Sequence, residues 1–335
     1  MAHVGFEGKH VGKGRAHVAW NRSGGVDALA AGYLASGSNF IHKSLDQGVT
    51  WTPKSSSRAF VSLAASPGTV IVGTGETLQG AIYKSTDDGE TVTIKYTTGI
   101  IANRTLGVCW LGGDVWLACM YSVSPAPTFI GEIVKSTDNG ETWTVKASLP
   151  ARNLVFCGGN RCLAVGITGA SPTYRYTIWK SDDLGETWSV AYTGTGNFPN
   201  YNWQQVLTYL GNNSVLAFEQ TAAGAGRYLR STNSGDTWTT AAAASRADSI
   251  CTVGNGDALA VLRTAGQIMR STDGGVTWSV RSTIALPTCV YAFAGVAVAT
   301  PQTATTPWQR STDYGRSWSA TGQFKASTFA MVGIL

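Results

Sequence analysis

The sequence predicts an all-β fold built from seven equivalent units. An octapeptide of the form Ser-x-Asp-x-Gly-x-Thr-Trp recurs seven times, and apolar and polar residues alternate on both sides of each copy, as in β-hairpins. Successive copies begin 40 to 51 residues apart, which is the spacing of β-propeller blades. Such units are too small to bury a core alone. We therefore predict that residues 1–335 form a single seven-bladed β-propeller. The copies begin at Ser44, Ser85, Ser136, Ser181, Ser231, Ser271 and Ser311.

Each unit contains two predicted hairpins. An apolar residue, a variable residue and a Lys or Arg precede every octapeptide, as in Ile133-Val134-Lys135, and another alternating segment follows it. A second hairpin lies upstream of most copies, such as residues 108–119 around Gly112-Gly113. Two hairpins give four antiparallel strands per blade, with the octapeptide in the turn between the third and fourth strands.

The octapeptide has the composition of a structural turn. An Asp accepts hydrogen bonds from the backbone of its own turn, Gly supplies a positive φ, and Trp provides an apolar body between blades. In the second copy Val92 replaces Trp, so we expect that unit to pack more loosely. The seven acceptor positions are Asp46, Asp87, Asp138, Asp183, Asn233, Asp273 and Asp313.

The octapeptides resemble the Asp-box, or BNR, repeats of sialidases and related propellers. The family motif is matched at Ser136, Asp138, Gly140, Thr142 and Trp143. Sialidases also carry an arginine triad and an N-terminal Phe/Tyr-Arg-Ile-Pro signature, and the signature is not found in this sequence. The resemblance therefore implies the fold, and we predict that the chain is neither a true sialidase nor an enzyme.

Closure of the ring is predicted to involve both chain ends. Residues 326–335 are strand-like and no octapeptide follows them. We expect this strand to complete the first blade beside N-terminal strands, which leaves no open sheet edge. Residues 17–20 compete for the same place.

Composition excludes several classes of function. The net charge of +5 is spread along the chain, which argues against nucleic-acid binding. No apolar signal core or membrane-length segment is present, so we expect synthesis in a cytosol, no signal peptide and no membrane insertion. The four histidines do not cluster with other ligand types, so we predict no metal and no cofactor.

The six cysteines are predicted to be reduced and buried. Cys157 and Cys162 would face each other if Gly159-Asn160 were a two-residue turn, which leaves a cross-strand disulfide open.

Few acidic residues are available for catalysis. Of the 20 acidic residues, 12 lie inside the octapeptides. Glu76, Glu219 and Asp248 remain as conceivable catalytic acids, but glycoside hydrolysis needs two suitably spaced carboxylates and no pattern pairs them. The seven cations before the octapeptides are predicted to be solvated strand residues, some of them near octapeptide acids such as Glu90, Glu141 and Glu186. A ring that binds phosphate or an acidic polymer is the alternative.

Insertions between repeats predict a binding face. Four long connections, at 121–129, 169–176, 193–203 and 221–227, should emerge opposite the octapeptides over three adjacent blades. They are rich in aromatic residues and arginine, which are enriched at binding hot spots. Packing of these loops on themselves is the alternative. The predicted partner-binding residues are Tyr121, Phe129, Tyr174, Arg175, Tyr176, Phe198, Tyr201 and Trp203.

We therefore predict a non-catalytic binding or structural propeller, namely a phage virion component such as a tail fibre, tail tip or decoration protein. It resembles the Asp-box reading frames found among phage structural genes. Its partners would be other virion proteins, a cell-surface glycan or a receptor. It would be made in the host cytoplasm and then reside in the virion. A glycoside hydrolase of sialidase-like type is the first alternative, and an assembly factor for a larger complex is the second.

Overall fold

The protein is an all-β, seven-bladed β-propeller, as predicted. In the computed structural model, 28 strands among the described residues form seven four-stranded antiparallel sheets. We number the blades by the octapeptide that each contains and call that octapeptide the repeat turn. The structure describes residues 28–33, 39–55, 60–75, 79–101, 103–122, 129–169, 174–194, 206–220, 226–243, 247–293, 295–301, 306–321 and 327–333.

The strands of each blade follow in chain order, except in blade 1. Blade 1 contains β1 (Ala28–Tyr33), β2 (Asn39–Ser44), β3 (Thr52–Ser55) and β28 (Ser327–Gly333). Blade 2 contains β4 (Phe60–Ser66), β5 (Thr69–Thr74), β6 (Gln79–Ser85) and β7 (Thr93–Ile101). Blade 3 contains β8 (Asn103–Gly112), β9 (Val115–Ser122), β10 (Ile130–Ser136) and β11 (Thr144–Ala147). Blade 4 contains β12 (Ala151–Phe156), β13 (Cys162–Thr168), β14 (Arg175–Ser181) and β15 (Ser189–Thr193).

The last three blades complete the ring. Blade 5 contains β16 (Leu207–Gly211), β17 (Ser214–Gln220), β18 (Gly226–Ser231) and β19 (Thr239–Ala243). Blade 6 contains β20 (Ala247–Gly254), β21 (Asp257–Leu262), β22 (Gln267–Ser271) and β23 (Ser279–Thr283). Blade 7 contains β24 (Pro287–Phe293), β25 (Val296–Pro301), β26 (Gln309–Ser311) and β27 (Ser319–Ala320).

Blade 1 joins the two ends of the described chain. Strand β28 pairs antiparallel with β1, with Val332 opposite Leu29. The sheet order β28-β1-β2-β3 makes β28 the first strand of this blade. Residues 17–20, the competing segment, lie outside the described residues.

The repeat turn uses its own polar side chains to hold its backbone. In blade 3, the Thr142 hydroxyl and backbone N–H donate to the two Asp138 carboxylate oxygens, at 2.5 and 2.9 Å. These hydrogen bonds lower the pKa of Asp138 to about 2. The Ser136 hydroxyl donates to Asp138 and accepts from the N–H of Gly140. The Asp or Asn at this position accepts the same backbone bond in all seven turns.

The repeat-turn glycine allows neighbouring blades to approach each other closely. Gly185 has φ +86°, and a Cβ on it would lie 2.7 Å from the Leu117 side chain of the preceding blade. The glycine is therefore required both for its positive φ and for the space it leaves. Equivalent contacts join Gly140 to Ile71, Gly235 to Leu163, Gly275 to Leu216, Gly315 to Leu259 and, less tightly, Gly48 to Val298.

A lysine before each of the first four repeat turns pairs with an acid in the next turn. Lys84 Nζ lies 2.8 Å from Glu141 Oε1, and Lys95, from the fourth strand, lies 2.6 Å from Oε2. Lys84 is only 6% exposed, so the prediction of solvated strand cations is wrong at this position. We call the junctions of blades 1/2, 2/3, 3/4 and 4/5 the lysine arc. Its other pairs are Lys43–Glu90, Lys135–Glu186 and Lys180–Asp236.

In the remaining junctions, an arginine contacts a backbone carbonyl of the next turn. Arg310 Nε donates to Gln47 O at 2.7 Å, and its Nη2 donates to Gln47 Oε1 at 3.2 Å. Arg230 and Arg270 make the same contact with the next turns, at 2.9 and 3.1 Å. We call junctions 5/6, 6/7 and 7/1 the arginine arc. Its turns carry Val276, Arg316 and Val49 where the lysine arc has an acid.

The six cysteines are free thiols. Cys162 pairs with Phe156, and the Cys157 N–H donates to Arg161 O, so Cys157 and Cys162 point to opposite faces of the sheet. The turn of residues 158–161 is longer than the two-residue turn on which a disulfide depended. Burial raises the pKa of both thiols, which disfavours the reactive thiolate.

Candidate functional site

Three of the predicted partner-binding side chains lie together. Tyr121 is near the end of β9, Phe129 precedes β10, and Tyr174 precedes β14. All three occupy strand ends opposite the repeat turns, where the sequence predicted a binding face. The Tyr121 and Phe129 rings stack with centroids 5.4 Å apart, and the Phe129 and Tyr174 rings are 4.6 Å apart. The third and fourth blades therefore share a continuous stack of aromatic rings, in which Tyr121 is buried and Phe129 and Tyr174 are partly exposed.

Arg152 completes this group, and the sequence analysis missed it. It lies in β12, the first strand of blade 4, and its guanidinium carbon is 4.1 Å from the Tyr121 ring centroid and 5.8 Å from that of Phe129. Its Nη2 donates to the Tyr121 hydroxyl. The available signal was a charged residue in a first strand whose only other polar residue is Asn153. We call Arg152, Tyr121, Phe129 and Tyr174 the arginine–aromatic cluster.

Opposing effects act on the pKa of Tyr121. Burial raises it, and the charge and hydrogen bond of Arg152 lower it, with a further lowering by Arg104 of β8; the net shift is upward. The phenol is therefore neutral at ordinary pH and donates or accepts hydrogen bonds. Burial also lowers the pKa of Arg152. Two arginines from the first strands of blades 3 and 4 thus act on the same tyrosine.

The other predicted residues are placed differently. Arg175 is exposed at the start of β14, whereas Tyr176 is fully buried and packs edge-on to Tyr192, with ring centroids 6.5 Å apart. The Tyr176 side chain is thus part of the core. Phe198, Tyr201 and Trp203 lie outside the described residues, as does the candidate acid Glu76.

Glu219 is fully buried between two blades. The hydroxyl of Tyr192, from blade 4, donates to its Oε2 at 3.2 Å, and Arg227 Nε lies 3.6 Å from the same oxygen. A Cβ at Gly194 would lie 2.1 Å from Glu219 Oε1, so the chain closes tightly over the carboxylate. A substrate has no access to this group, and its role is to join blades 4 and 5.

Glu132 and Asp248 are buried in similar ways. The hydroxyl of Tyr96, in blade 2, donates to Glu132 Oε1 of blade 3 at 3.2 Å, which repeats the arrangement at Glu219. Burial and the neighbouring glutamate raise the pKa of Tyr96 to about 12. Asp248 is fully buried and accepts from the N–H of Arg263 at 3.3 Å. These acids serve the packing of the ring.

Neither a cluster of metal-ligating side chains nor a membrane-spanning helix is found among the described residues. No group of three or more His, Cys, Asp or Glu side chains is arranged there to hold a metal ion. No helix with the length and apolarity needed to cross a membrane occurs in the described part of the chain.

Comparison with solved structures supports the propeller fold. A structure of YCF48 bound to D1 peptide has a TM-score of 0.58 and 12% identity, and the match covers 80% of this chain and 83% of that one. A GH93 α-L-arabinofuranosidase of Fusarium graminearum in complex with arabinobiose has a TM-score of 0.49 and 14% identity, with 71% and 86% covered. A GH74 enzyme from Niastella koreensis has a TM-score of 0.36 and 18% identity, with 86% and 52% covered.

Sequence comparisons found no relatives. No family model matches the chain. No curated protein matches it either.

The prediction of a non-catalytic phage virion component is wrong by this comparison. The similar structures include glycoside hydrolases and propellers with peptide or protein partners, and they supply no support for a virion protein. Glycoside hydrolases are among the similar structures, at 14–18% identity, so the comparison does not support the prediction that the chain is not an enzyme. At 10–18% identity, these likenesses establish the fold.

Proposed function

We propose that this protein is a carbohydrate-active propeller of the glycoside hydrolase class, and that its sugar ligand lies on the arginine–aromatic cluster. The observation that carries the proposal is the contact of Arg152 with the Tyr121 and Phe129 rings, at 4.1 and 5.8 Å, beside the partly exposed Tyr174. Flat aromatic rings pack on the apolar faces of sugars, and hydroxyl and guanidinium groups bind sugar oxygens.

The two arginines favour an acidic sugar over a neutral one. Arg152 and Arg104 both act on Tyr121, so positive charge is concentrated around the Tyr121 hydroxyl. A planar guanidinium binds a carboxylate with two parallel hydrogen bonds. A uronic or sialic acid ligand matches this chemistry, because it presents a carboxylate and a ring that stacks.

Hydrolysis needs two carboxylates on either side of the scissile bond. Glu132, Glu219 and Asp248 are buried by packing and do not meet this need. Glu76, the remaining acid of the three that the sequence singled out, is therefore the first residue to replace in a test of catalysis.

The test is a panel of neutral and acidic oligosaccharides, in which binding is measured by calorimetry and cleavage by release of reducing ends. We expect Tyr174→Ala and Arg152→Ala to weaken binding of the best ligand about tenfold, the effect of losing one stacking or charged contact. Tyr314→Ala, which removes an exposed aromatic ring at a repeat turn on the opposite side of the ring of blades, is the matched control and should bind normally.

Two results would contradict the proposal in different ways. Failure of every oligosaccharide to bind would exclude a sugar site. Binding without cleavage, with Glu76→Gln equal to the unmodified chain, would retain the site and exclude a glycoside hydrolase.

A further inference from the structure

The junction between blades 6 and 7 differs from the others in its charges. At junction 2/3, one turn carboxylate lies between two lysines, with Glu141 at 2.8 Å from Lys84 and 2.6 Å from Lys95. Lys95 is the extra residue at a register shift, because Tyr83 pairs with Ile94 and Ile82 with Tyr96. In this arrangement, a carboxylate lies between the two cations of the neighbouring blade.

The equivalent positions at junction 6/7 carry three arginines. Arg270 replaces Lys84, and Arg281 replaces Lys95 at the same register shift of the fourth strand. Arg316 occupies the position of the carboxylate, Glu141. The repeat therefore places positive charge at a point where the four junctions of the lysine arc hold an acid.

Two of these arginines, Arg281 and Arg316, are exposed, whereas Arg270 is buried. Arg270 is already bonded to Asp257 at 2.5 Å and to the Tyr314 carbonyl at 3.1 Å. Arg281 and Arg316 lie at the surface, and neither makes an ion pair with another described residue. The equivalence with junction 2/3, where Lys95 lies 2.6 Å from Glu141, brings Arg281 and Arg316 side by side, and an anion between them would offset their repulsion.

Apolar side chains are exposed beside these arginines. Tyr314 is 45% exposed, and the Arg316 guanidinium lies 5.8 Å from its ring. Val276, in the preceding turn, is 61% exposed. The next turn, joined to this one through Arg310 and Gln47, exposes Leu45 and Val49. Turns 6, 7 and 1 thus present apolar groups on one face of the ring, beside Arg281 of β23 and Arg316 of turn 7.

We propose that this face binds an acidic segment of a protein partner, and that a partner carboxylate lies between Arg281 and Arg316. The bound carboxylate would have the role that Glu141 has within the ring at junction 2/3. Aliphatic side chains of the same segment pack on Tyr314 and Val276. The surface lies on the side of the ring opposite the arginine–aromatic cluster, so it is independent of the carbohydrate proposal.

The first experiment tests the geometry without a partner. Arg316→Glu installs the carboxylate that the repeat has elsewhere, so it should pair with Arg281 and raise the melting temperature. Arg316→Gln, which removes the charge alone, is the matched control and should give a smaller rise. A melting temperature for Arg316→Glu at or below that of Arg316→Gln would overturn the assigned juxtaposition.

The second experiment tests binding with a fluorescein-labelled peptide of alternating Leu and Glu and its counterpart with Gln. We expect the Glu peptide to bind in low salt and the Gln peptide to bind at least about tenfold more weakly. Arg316→Glu and Arg281→Glu should each abolish binding, whereas Arg152→Ala on the opposite face should leave it unchanged. Equal affinity for both peptides, or normal binding by Arg316→Glu, would overturn the proposal. Stronger binding of a single-stranded oligonucleotide would overturn the assignment to an acidic protein segment.

Discussion

The blades of the lysine arc and those of the arginine arc pack against each other in the same way, but their charged contacts differ. In both arcs, an aliphatic side chain of one blade fills the space beside the glycine of the next repeat turn. The charged contact differs, because a lysine meets a turn carboxylate in one arc and an arginine meets a backbone carbonyl in the other. The steric contact between neighbouring blades is therefore common to both arcs, whereas the charged contact can be either an ion pair or a hydrogen bond to a carbonyl.

The cation and its acceptor change together. Where the turn supplies a carboxylate, as Glu141 does, a lysine ammonium suffices, since one point charge satisfies it. Where the turn supplies only neutral acceptors, the planar fork of arginine reaches two of them, as Arg310 does at Gln47. In the lysine arc, acid protonates the turn carboxylates and salt weakens their ion pairs with the lysines. In the arginine arc, the acceptor is a backbone carbonyl, which acid does not protonate.

The largest effect should come from the contact that both arcs share. Gly185→Ala in the lysine arc and Gly275→Ala in the arginine arc each place a Cβ within 2.7 Å of a leucine while imposing a positive φ. We expect each change to lower the free energy of unfolding by about 3 kcal/mol, from overpacking and backbone strain together. Urea unfolding measures the loss.

The control isolates the strain. Gly113 has φ +54° and nothing within 4 Å of its Cβ position, so Gly113→Ala should cost about 1 kcal/mol. A large difference between Gly185→Ala and Gly275→Ala would show that the two arcs do not share one steric joint.

A buried histidine next to the lysine arc should dominate the response to mild acid. Burial lowers the pKa of His42 from 6.5 to about 4. The folded state holds it neutral, so its contribution is complete above pH 6.5 and is lost as the pH falls towards 4. The full loss is about 3 kcal/mol. Unfolding free energies measured between pH 7 and pH 4 should show this slope.

Removing the histidine tests the assignment. Blades 2 to 6 carry Tyr83, Val134, Trp179, Leu229 and Met269 at the same position, so an apolar side chain suits it. His42→Leu should flatten the profile above pH 4.5. An unchanged slope would assign the acid sensitivity to other groups.

Exchanging lysine and arginine between the two arcs should change the free energy of unfolding by a smaller amount. Arg310→Lys removes the fork that reaches both oxygens of Gln47, so we expect a loss of about 1 kcal/mol from the lost charged hydrogen bond. The reciprocal Lys84→Arg keeps its bond to Glu141 and should be nearly neutral. Thermal unfolding of the pair compares them directly, and equal losses would contradict the reason we give for the choice of cation.

The smallest effect should come from the half-exposed carboxylates. Hydrogen bonds from Lys84 and Lys95 lower the pKa of Glu141, so its contribution is present above its ordinary pKa of 4.5 and is lost as the pH falls below that. Because the carboxylate is 48% exposed, Glu141→Gln should cost only about 0.5 kcal/mol, and less in high salt. A loss that did not shrink with salt would show that packing is the cause.

Much of the fold was predictable because the repeat turn is a local structure. Ser136, Asp138, Gly140 and Thr142 bond to one another within seven residues, so their spacing alone indicates the turn. The insertions predicted aromatic residues on one side of the ring, and Tyr121, Phe129 and Tyr174 lie together there, whereas Tyr176 is part of the core; binding by this face stays a prediction. The contact of Arg152 with Tyr121 was not predictable, since it joins residues 31 positions apart through the packing of two blades.

The chain's own pattern determined the hydrogen bonds of the turns and the four strands of blades 2 to 7, because these arise within about 50 consecutive residues, and the number of repeats predicted the number of blades. Only the tertiary structure decided what the repeated cations do. The blade-to-blade contacts join Lys84 to Glu141 and Arg310 to Gln47 across 57 and 263 positions, and their form depends on how closely the blades approach. The same approach buries Glu219 beneath Tyr192 and leaves Arg281 and Arg316 at the surface, and no pattern along the chain distinguishes these outcomes.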